Sequence, residues 1–283
     1  MTVDDESLRR WIGGTETARD TVTAAPLAGL AATLDRDAPM PEPGDPVPPG
    51  GHWVFFNPRV RQSALDARGH AGDGDFLPPA PLPRRMWAGG RLVFHRPLHV
   101  GEAVEQVSTL RDITAKQGRS GDLVFVLVHH AISGESGLAV EEEHDIVYRE
   151  AAKPGATPPP PKPGPTDAAW SETVQPDPTL LFRFSALTFN AARIHYDRRH
   201  VTEVEGYPGL IVNARLVAVQ LIELCRPHFP GKSMTGFDFR FHRPLFDTGP
   251  YTVAGKPDGE DAASLWAAAA DGALSLTATA RFG

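Results

Sequence analysis

The dominant pattern along the chain is strand-like. Runs compatible with half-buried or buried strands occupy Trp87 to Phe94, Ala103 to Thr114, Leu123 to Ile132 and Gly137 to Tyr148. A second set follows at Ser233 to Phe241, Tyr251 to Lys256, Ala263 to Ala269 and Leu274 to Phe282. GRSGD (Gly118 to Asp122) and SGESG (Ser133 to Gly137) carry the glycines of hairpin turns. LVFVLV (Leu123 to Val128) is apolar at every position, which predicts a central strand covered on both faces. HWVFF (His52 to Phe56) predicts one more strand.

Helical spacing is rarer. Leu8, Trp11 and Ile12 give a short amphipathic turn, and Leu27, Leu30, Ala31 and Leu34 repeat at helical intervals. Ala38 to Gly50 is too rich in Pro and Gly for regular structure, and Arg68 to Arg85 reads as loop. The stretch that organises the rest is Ser185 to Leu224. It predicts a short apolar strand, a polar loop with Asn190, Arg193, His195 and Asp197, the turn Glu-Gly-Tyr-Pro-Gly (Glu205 to Gly209), and a helix with almost no polar face. Such a helix must be buried on most sides. The loop therefore sets titratable groups and backbone N–H donors, Gly209 among them, beside an apolar interior.

The two strand sets look like copies. GGRLVFHRPL (Gly89 to Leu98) matches GFDFRFHRPL (Gly236 to Leu245), with Phe-His-Arg-Pro-Leu identical. Each copy opens a strand run that continues to the end of its half, as in a tandem repeat. The prolines place the motif at a strand exit. KPGATPPPPKPGP (Lys153 to Pro165) predicts a semi-rigid extended linker. The expected organisation is a first half at 1–152, a linker at 153–166 and a second half at 167–283.

Composition narrows the function. The chain has 283 residues, a formal charge of −7 and one cysteine, Cys225. An intrachain disulfide and a cysteine metal cluster are excluded. The acidic balance argues against general nucleic-acid binding. No apolar run is long enough for a membrane span, and the acidic N-terminus lacks a signal-peptide core, so a soluble, cytoplasmic protein is expected. His129 and His130 are neighbours on a strand, face opposite sides, and cannot share a metal ion.

FNAARIHYD (Phe189 to Asp197) followed by EGYPGL (Glu205 to Leu210) resembles the MaoC-like hydratase/dehydratase superfamily. The branch is that of mesaconyl-CoA and itaconyl-CoA hydratases and mitochondrial-type 3-hydroxyacyl-thioester dehydratase. PLPRRMWAGGRLVFHRPL (Pro81 to Leu98) resembles the dehydratase-like first half of the same branch. The resemblance implies an α+β double hot-dog fold, each half a sheet wrapped around a helix, with a structural, substrate- and CoA-binding first half and a catalytic second half. It puts His195 at the catalytic histidine and Asn190 at the position where the wider superfamily carries an acid. It also makes the Ala214 N–H the donor for the thioester oxygen. The chain departs from the branch at Ala192, where His is common, and at Asn213, Ala214 and Arg215, where His-Gly-Pro is common.

Hydration of an enoyl thioester needs a base that titrates near neutrality and donors aimed at the thioester oxygen. His195 is the candidate base, and Asn190 can only orient the water. A histidine that merely makes a structural hydrogen bond would fit the sequence too. Arg193, Tyr207, Asn213 and Arg215 are candidates for substrate binding. Arg193 suits a substrate carboxylate or an ordinary ion pair; Arg215, a cation in a buried helix, calls for an anion. Arg84, Arg85 and Lys232 are candidates for CoA phosphates. CoA is expected only as part of the substrate, with no cofactor and no metal. The partner is an acyl-CoA or acyl-carrier thioester, and the expected assembly is a homodimer. A hot-dog thioesterase and a non-catalytic acyl-thioester binder remain as alternatives.

Overall fold

The structure, a computed structural model, describes residues 5–70, 76–79, 82–118, 121–150 and 160–283. The expected linker lies outside the described residues up to position 159. Its last part is docked: Gly164 N–H donates to the Gly272 carbonyl, and Leu274 N–H to the Lys162 carbonyl.

The element order is α1 (Asp5–Arg9), β1 (Thr15–Thr21), α2 (Ala24–Thr33), β2 (Arg84–Phe94), β3 (Ala103–Gly118), β4 (Gly121–Gly134) and β5 (Gly137–Arg149). Then come β6 (Trp170–Val174), α3 (Pro178–Leu187), α4 (Ala214–Cys225), β7 (Met234–Phe241), β8 (Tyr251–Pro257), β9 (Ala262–Ala269) and β10 (Leu274–Phe282). All strands join one 10-stranded antiparallel sheet, ordered β1-β3-β4-β5-β2-β7-β10-β9-β8-β6. Among the described residues no helix is long and apolar enough to cross a membrane.

The duplicated segment forms the seam. β2 pairs with β7 antiparallel from Gly89 opposite Arg240 to Val93 opposite Gly236. Arg91 lies opposite Asp238, which holds the same place in the other copy. The two copies are thus related by an approximate two-fold axis through that pair. Their exits agree as well. His95 and Arg96 N–H both point at the Ala139 carbonyl, and His242 and Arg243 N–H at that of Ser275. Gly90 is tightly enclosed at the seam, where a Cβ would lie 2.7 Å from the Glu143 carbonyl oxygen and 2.9 Å from the Phe239 ring.

The sheet wraps one long buried helix. Leu216, Val217, Ala218, Val219, Leu221 and Ile222 of α4 are all buried in the main core, against the β8–β10 side of the sheet. The first half has no equal. Val47 N–H donates to the Leu98 carbonyl just as Val212 N–H does to that of Leu245, and the Pro46–His99 bridge matches Ile211–Phe246. These contacts align Pro43-Gly44 with Pro208-Gly209, and Pro48-Pro49-Gly50 with the Asn213-Ala214-Arg215 that opens α4. Gly50 turns left-handed at φ 80°, and only the 3₁₀ turn Gly51–Val54 follows. The turn ends where Phe55 is extended and Phe56 takes a positive φ of 55°, two residues before Pro58.

Several expectations are corrected here. His52 to Phe56 is no strand: its apolar run is the buried remnant of that helix. The Leu27–Leu34 repeat is α2, which follows edge strand β1 as α3 follows β6, and it packs on α3. It is therefore the counterpart of α3 and not of α4. Ser185 belongs to the end of α3, N-capped by the Asp177 side chain, where a strand is predicted. Edge strands β1 and β6 go unpredicted because their side chains are mostly exposed, with no buried face to pattern them. Arg84 and Arg85 sit on β2, not in a loop.

Candidate active site

α3 ends at Leu187, and Phe189 takes a positive φ of 48° that starts the loop. Asn190 closes a local turn, its Oδ1 accepting the Ala192 N–H at 3.0 Å. That bond assigns the amide: the oxygen is engaged, and the NH2 group has no protein partner among the described residues. A 3₁₀ turn, Arg193–His195, then carries the histidine inward.

His195 is buried at 8% exposure. Its Nδ1 lies 2.8 Å from the Ile211 carbonyl oxygen. A carbonyl only accepts, so Nδ1 carries the proton and Nε2 keeps its lone pair. Nε2 has no hydrogen-bond partner among the described residues and is not sealed from open space. Burial pushes the pKa down to about 4, against the raising effect of the Ile211 carbonyl, and nearby His70 lowers it further. The imidazole is neutral at physiological pH.

The chain reaches α4 through Tyr207 and Gly209. A Cβ at Gly209 would meet the Asp247 carboxylate 2.6 Å away, so a larger residue there would displace the Asp247 side chain. Asp247 accepts the Leu210 N–H at 2.8 Å and pairs with Arg198, fixing the approach to the helix. Asn213 caps α4, its Oδ1 taking the Arg215 N–H at 3.0 Å. No protein acceptor among the described residues takes the Ala214 N–H, which stays available at the positive end of the helix.

The other candidates are placed as follows. The Arg193 guanidinium is held by Asp197 at 2.7 Å and by the Ala67 carbonyl at 2.8 Å, so its donors are largely committed. Arg84 donates to Tyr207 Oη at 3.2 Å and lies over the ring, which joins the first half to the segment between His195 and α4. Arg85 is exposed next to it on β2 and acts electrostatically on His70. Lys232 is paired with Asp261 at 2.5 Å, just before β7. The β2–β7 register puts Lys232 at the opposite end of the strands from Arg84, roughly 40 Å away along the sheet at ~3.3 Å per residue. The structure does not bring those two together. His129 and His130 have separate partners, Glu141 for the first and Ser108 with His144 for the second.

Two features escape sequence reading. His70, half-buried, is close enough to His195 to oppose its protonation. Its segment is tied down by Arg193 N–H donating to the Arg68 carbonyl. No local pattern marks it, because the approach is across the fold. The second feature is a buried polar group beneath Arg215. Glu142, 2% exposed, accepts from Trp53 Nε1 at 2.9 Å and His144 Nε2 at 2.5 Å, and lies 3.2 Å from His52 Nε2. Burial alone would raise its pKa, but His144 and His52 outweigh that and hold it well below the carboxylate range. The signal was a carboxylate at an inward position of an alternating strand.

Two hot-dog halves sharing one sheet, with one loop-and-helix site among the described residues, give the fold of the MaoC-like class. The hydroxyacyl-thioester dehydratase type 2 profile matches residues 50–247, and the chain belongs to that family. It is 48% identical to mesaconyl-C(4)-CoA hydratase of Chloroflexus aurantiacus over 96% of this chain and 97% of that one. It is 28% identical to the mitochondrial hydroxyacyl-thioester dehydratase type 2 of Schizosaccharomyces pombe over 88% and 91% of the two chains. Among solved structures, HtdX of Mycobacterium tuberculosis superposes with a TM-score of 0.66 at 19% identity, covering 94% of this chain and 99% of that one. A MaoC-like dehydratase from Phytophthora capsici gives 0.66 at 13% identity, covering 100% and 99%. The last two likenesses concern the fold.

Proposed function

We propose that this chain is a hydro-lyase that adds water to an α,β-enoyl-CoA thioester, or removes it from the 3-hydroxyacyl thioester, with a mesaconyl-type dicarboxylic acyl-CoA as substrate. The observation that carries the reading is the state of His195: neutral, locked in one tautomer, with an unpartnered Nε2. The name of the 48%-identical relative supports the substrate class.

In this mechanism water is oriented by the free NH2 of Asn190 and hydrogen-bonded to His195 Nε2. As its oxygen bonds to Cβ, Nε2 takes the water proton and the Cα=Cβ electrons move toward the thioester oxygen. The resulting enolate is stabilised by the Ala214 N–H, aided by the α4 dipole. His195 then returns its proton to Cα, and the imidazole ends neutral. A conjugate acid of pKa about 4 returns that proton readily, while the neutral imidazole is a weaker base than the near-neutral one expected from the sequence. Dehydration is the reverse. The residues need no metal or separate cofactor for this step; CoA enters with the substrate. We further propose a homodimer acting in the cytoplasm, with Arg84 and Arg85 near the CoA end.

The test is incubation with crotonyl-CoA and mesaconyl-CoA, following loss of enoyl absorbance and appearance of free thiol. Absorbance loss without thiol is expected. Thiol release would instead make the chain a thioesterase, and neither signal would leave a binder.

A further inference from the structure

Arg215 is the second residue of α4, directly after the proposed thioester donor Ala214. Its side chain reaches into the first half, where the guanidinium lies 5.3 Å from the Trp87 ring centre and 5.9 Å from that of Trp53. The two indoles meet edge to face at 86°. Stacking on aromatic faces stabilises a cation but leaves the in-plane N–H donors unused.

Those donors have no protein partner. Among the described residues, no acceptor lies within hydrogen-bond distance of the guanidinium, and no carboxylate within ion-pair distance. Glu142 is the anion that favours its charge, against burial, which disfavours it. Yet both Glu142 oxygens are already taken by Trp53, His144 and His52. Glu142 therefore balances charge at a distance without capping the fork. A second donor is orphaned beside it: Trp87 Nε1 is buried and has no hydrogen-bond partner among the described residues. Leaving the buried Trp87 N–H unmade is costly, and the Arg215 fork beside it keeps its donors for an acceptor that comes from outside. Arg215 is half-buried and its nitrogens are not sealed, so a small anion reaches the guanidinium first; Trp87 Nε1 is sealed in this structure and joins the contact only as the side chains make room.

We propose that the Arg215 guanidinium and the Trp87 indole N–H form a subsite for a carboxylate on the acyl group, which makes thioesters of dicarboxylic acids the preferred substrates. The subsite rests on the acyl-thioester reading of the α4 N-terminus. The thioester oxygen is held at the Ala214 N–H, and an arginine side chain starting one residue later reaches about as far as a short acyl chain. A phosphate is the poorer occupant, because the CoA phosphates leave from the other side of the thioester.

Succinyl-CoA and butyryl-CoA test this by calorimetric titration, since they differ in the terminal carboxylate and neither carries an enoyl bond to hydrate. Wild type is expected to bind succinyl-CoA more tightly. Arg215→Met should lower the succinyl-to-butyryl preference about 10- to 100-fold, the range for hydrogen bonds to a charged group. Arg215→Lys should retain part of it, and Trp87→Phe, which keeps the ring and loses the N–H, should lose part of it. A wild type that prefers butyryl-CoA overturns the subsite. So does an Arg215→Met variant that weakens both esters equally, as a purely structural arginine would. Because neither ester turns over, these results stand apart from the crotonyl-CoA assay that decides the hydratase reading.

Discussion

Replacing His195 with Gln should uncouple the protein from a pH dependence that it shows strongly between about pH 7.5 and pH 5. The native imidazole is held down to about 4, whereas an unfolded one titrates at 6.5. The unfolded chain thus takes up a proton that the folded chain refuses. The stability linked to this group is present above the unfolded value and is lost as pH falls through the window toward the folded value. At about pH 5 the unfolded group is ~97% protonated and the native group ~9%, a penalty of about 2 kcal/mol. His130, buried and held down to about 3 by burial and then by His144, adds a loss of similar size in the same window. Urea unfolding at the two pH values should therefore show wild type losing about 2 kcal/mol more than His195→Gln, which retains the His130 share and the smaller ones of His70 and His242. Activity should move differently. About 90% of native His195 remains a free base at pH 5, so kcat/KM should be nearly flat between the two values. A fall of about 30-fold, as an imidazole of ordinary pKa would produce, would refute the buried-base argument.

His195→Gln should also lower turnover by about 10²- to 10⁴-fold at neutral pH, with a melting temperature close to wild type. Asn190→Asp places an anion near His195, which raises its pKa; the acid limb of kcat/KM should move upward, with activity retained at neutral pH, and an unchanged profile would separate the two side chains. Gly90→Val forces a side chain against the Glu143 carbonyl and the Phe239 ring at the seam, and should cost at least about 1–3 kcal/mol in urea unfolding. Burial pushes the Cys225 thiol up to about 12, so the native protein should not react with a thiol reagent at neutral pH, while the unfolded protein should react fully.

The eight long strands were legible because each buries at least one face, and burial imposes a pattern that needs no knowledge of neighbours. β1 and β6 were not, since edge strands with exposed side chains owe their form to a single partner strand. The Gly51–Val54 turn was misread for another reason: a buried apolar run of that length has no period to read, and only the alignment of Val47 with Val212 identifies it as a shortened helix. In the site, the loop carrying Asn190 and His195 and the buried helix after it were local and therefore visible, whereas Asn213, read as a substrate contact, caps α4. The roles of Glu142, Trp53 and Trp87 were not, because they depend on β5, β2 and the remnant turn meeting under Arg215.

The departures from the family pattern at the helix start and the degeneration of the first copy belong to one arrangement. Where the second copy opens a helix with Asn-Ala-Arg, the first has Pro-Pro-Gly and a single turn. That turn leaves Trp53 facing the Arg215 side chain of the other copy across the pseudo-two-fold axis. A full first-copy helix would follow the path that the turn abandons at Val54. A guanidinium in the second half then needs charge balance from the first. Glu142, saturated by donors from β5 and the remnant turn, supplies it without neutralising the fork. The first half is thus tied to the candidate site in two ways, through His70 near His195 and through the aromatic seat of Arg215. On the proposed reading, its Trp53 and Trp87 seat the arginine that would recognise the acyl carboxylate, besides packing its core.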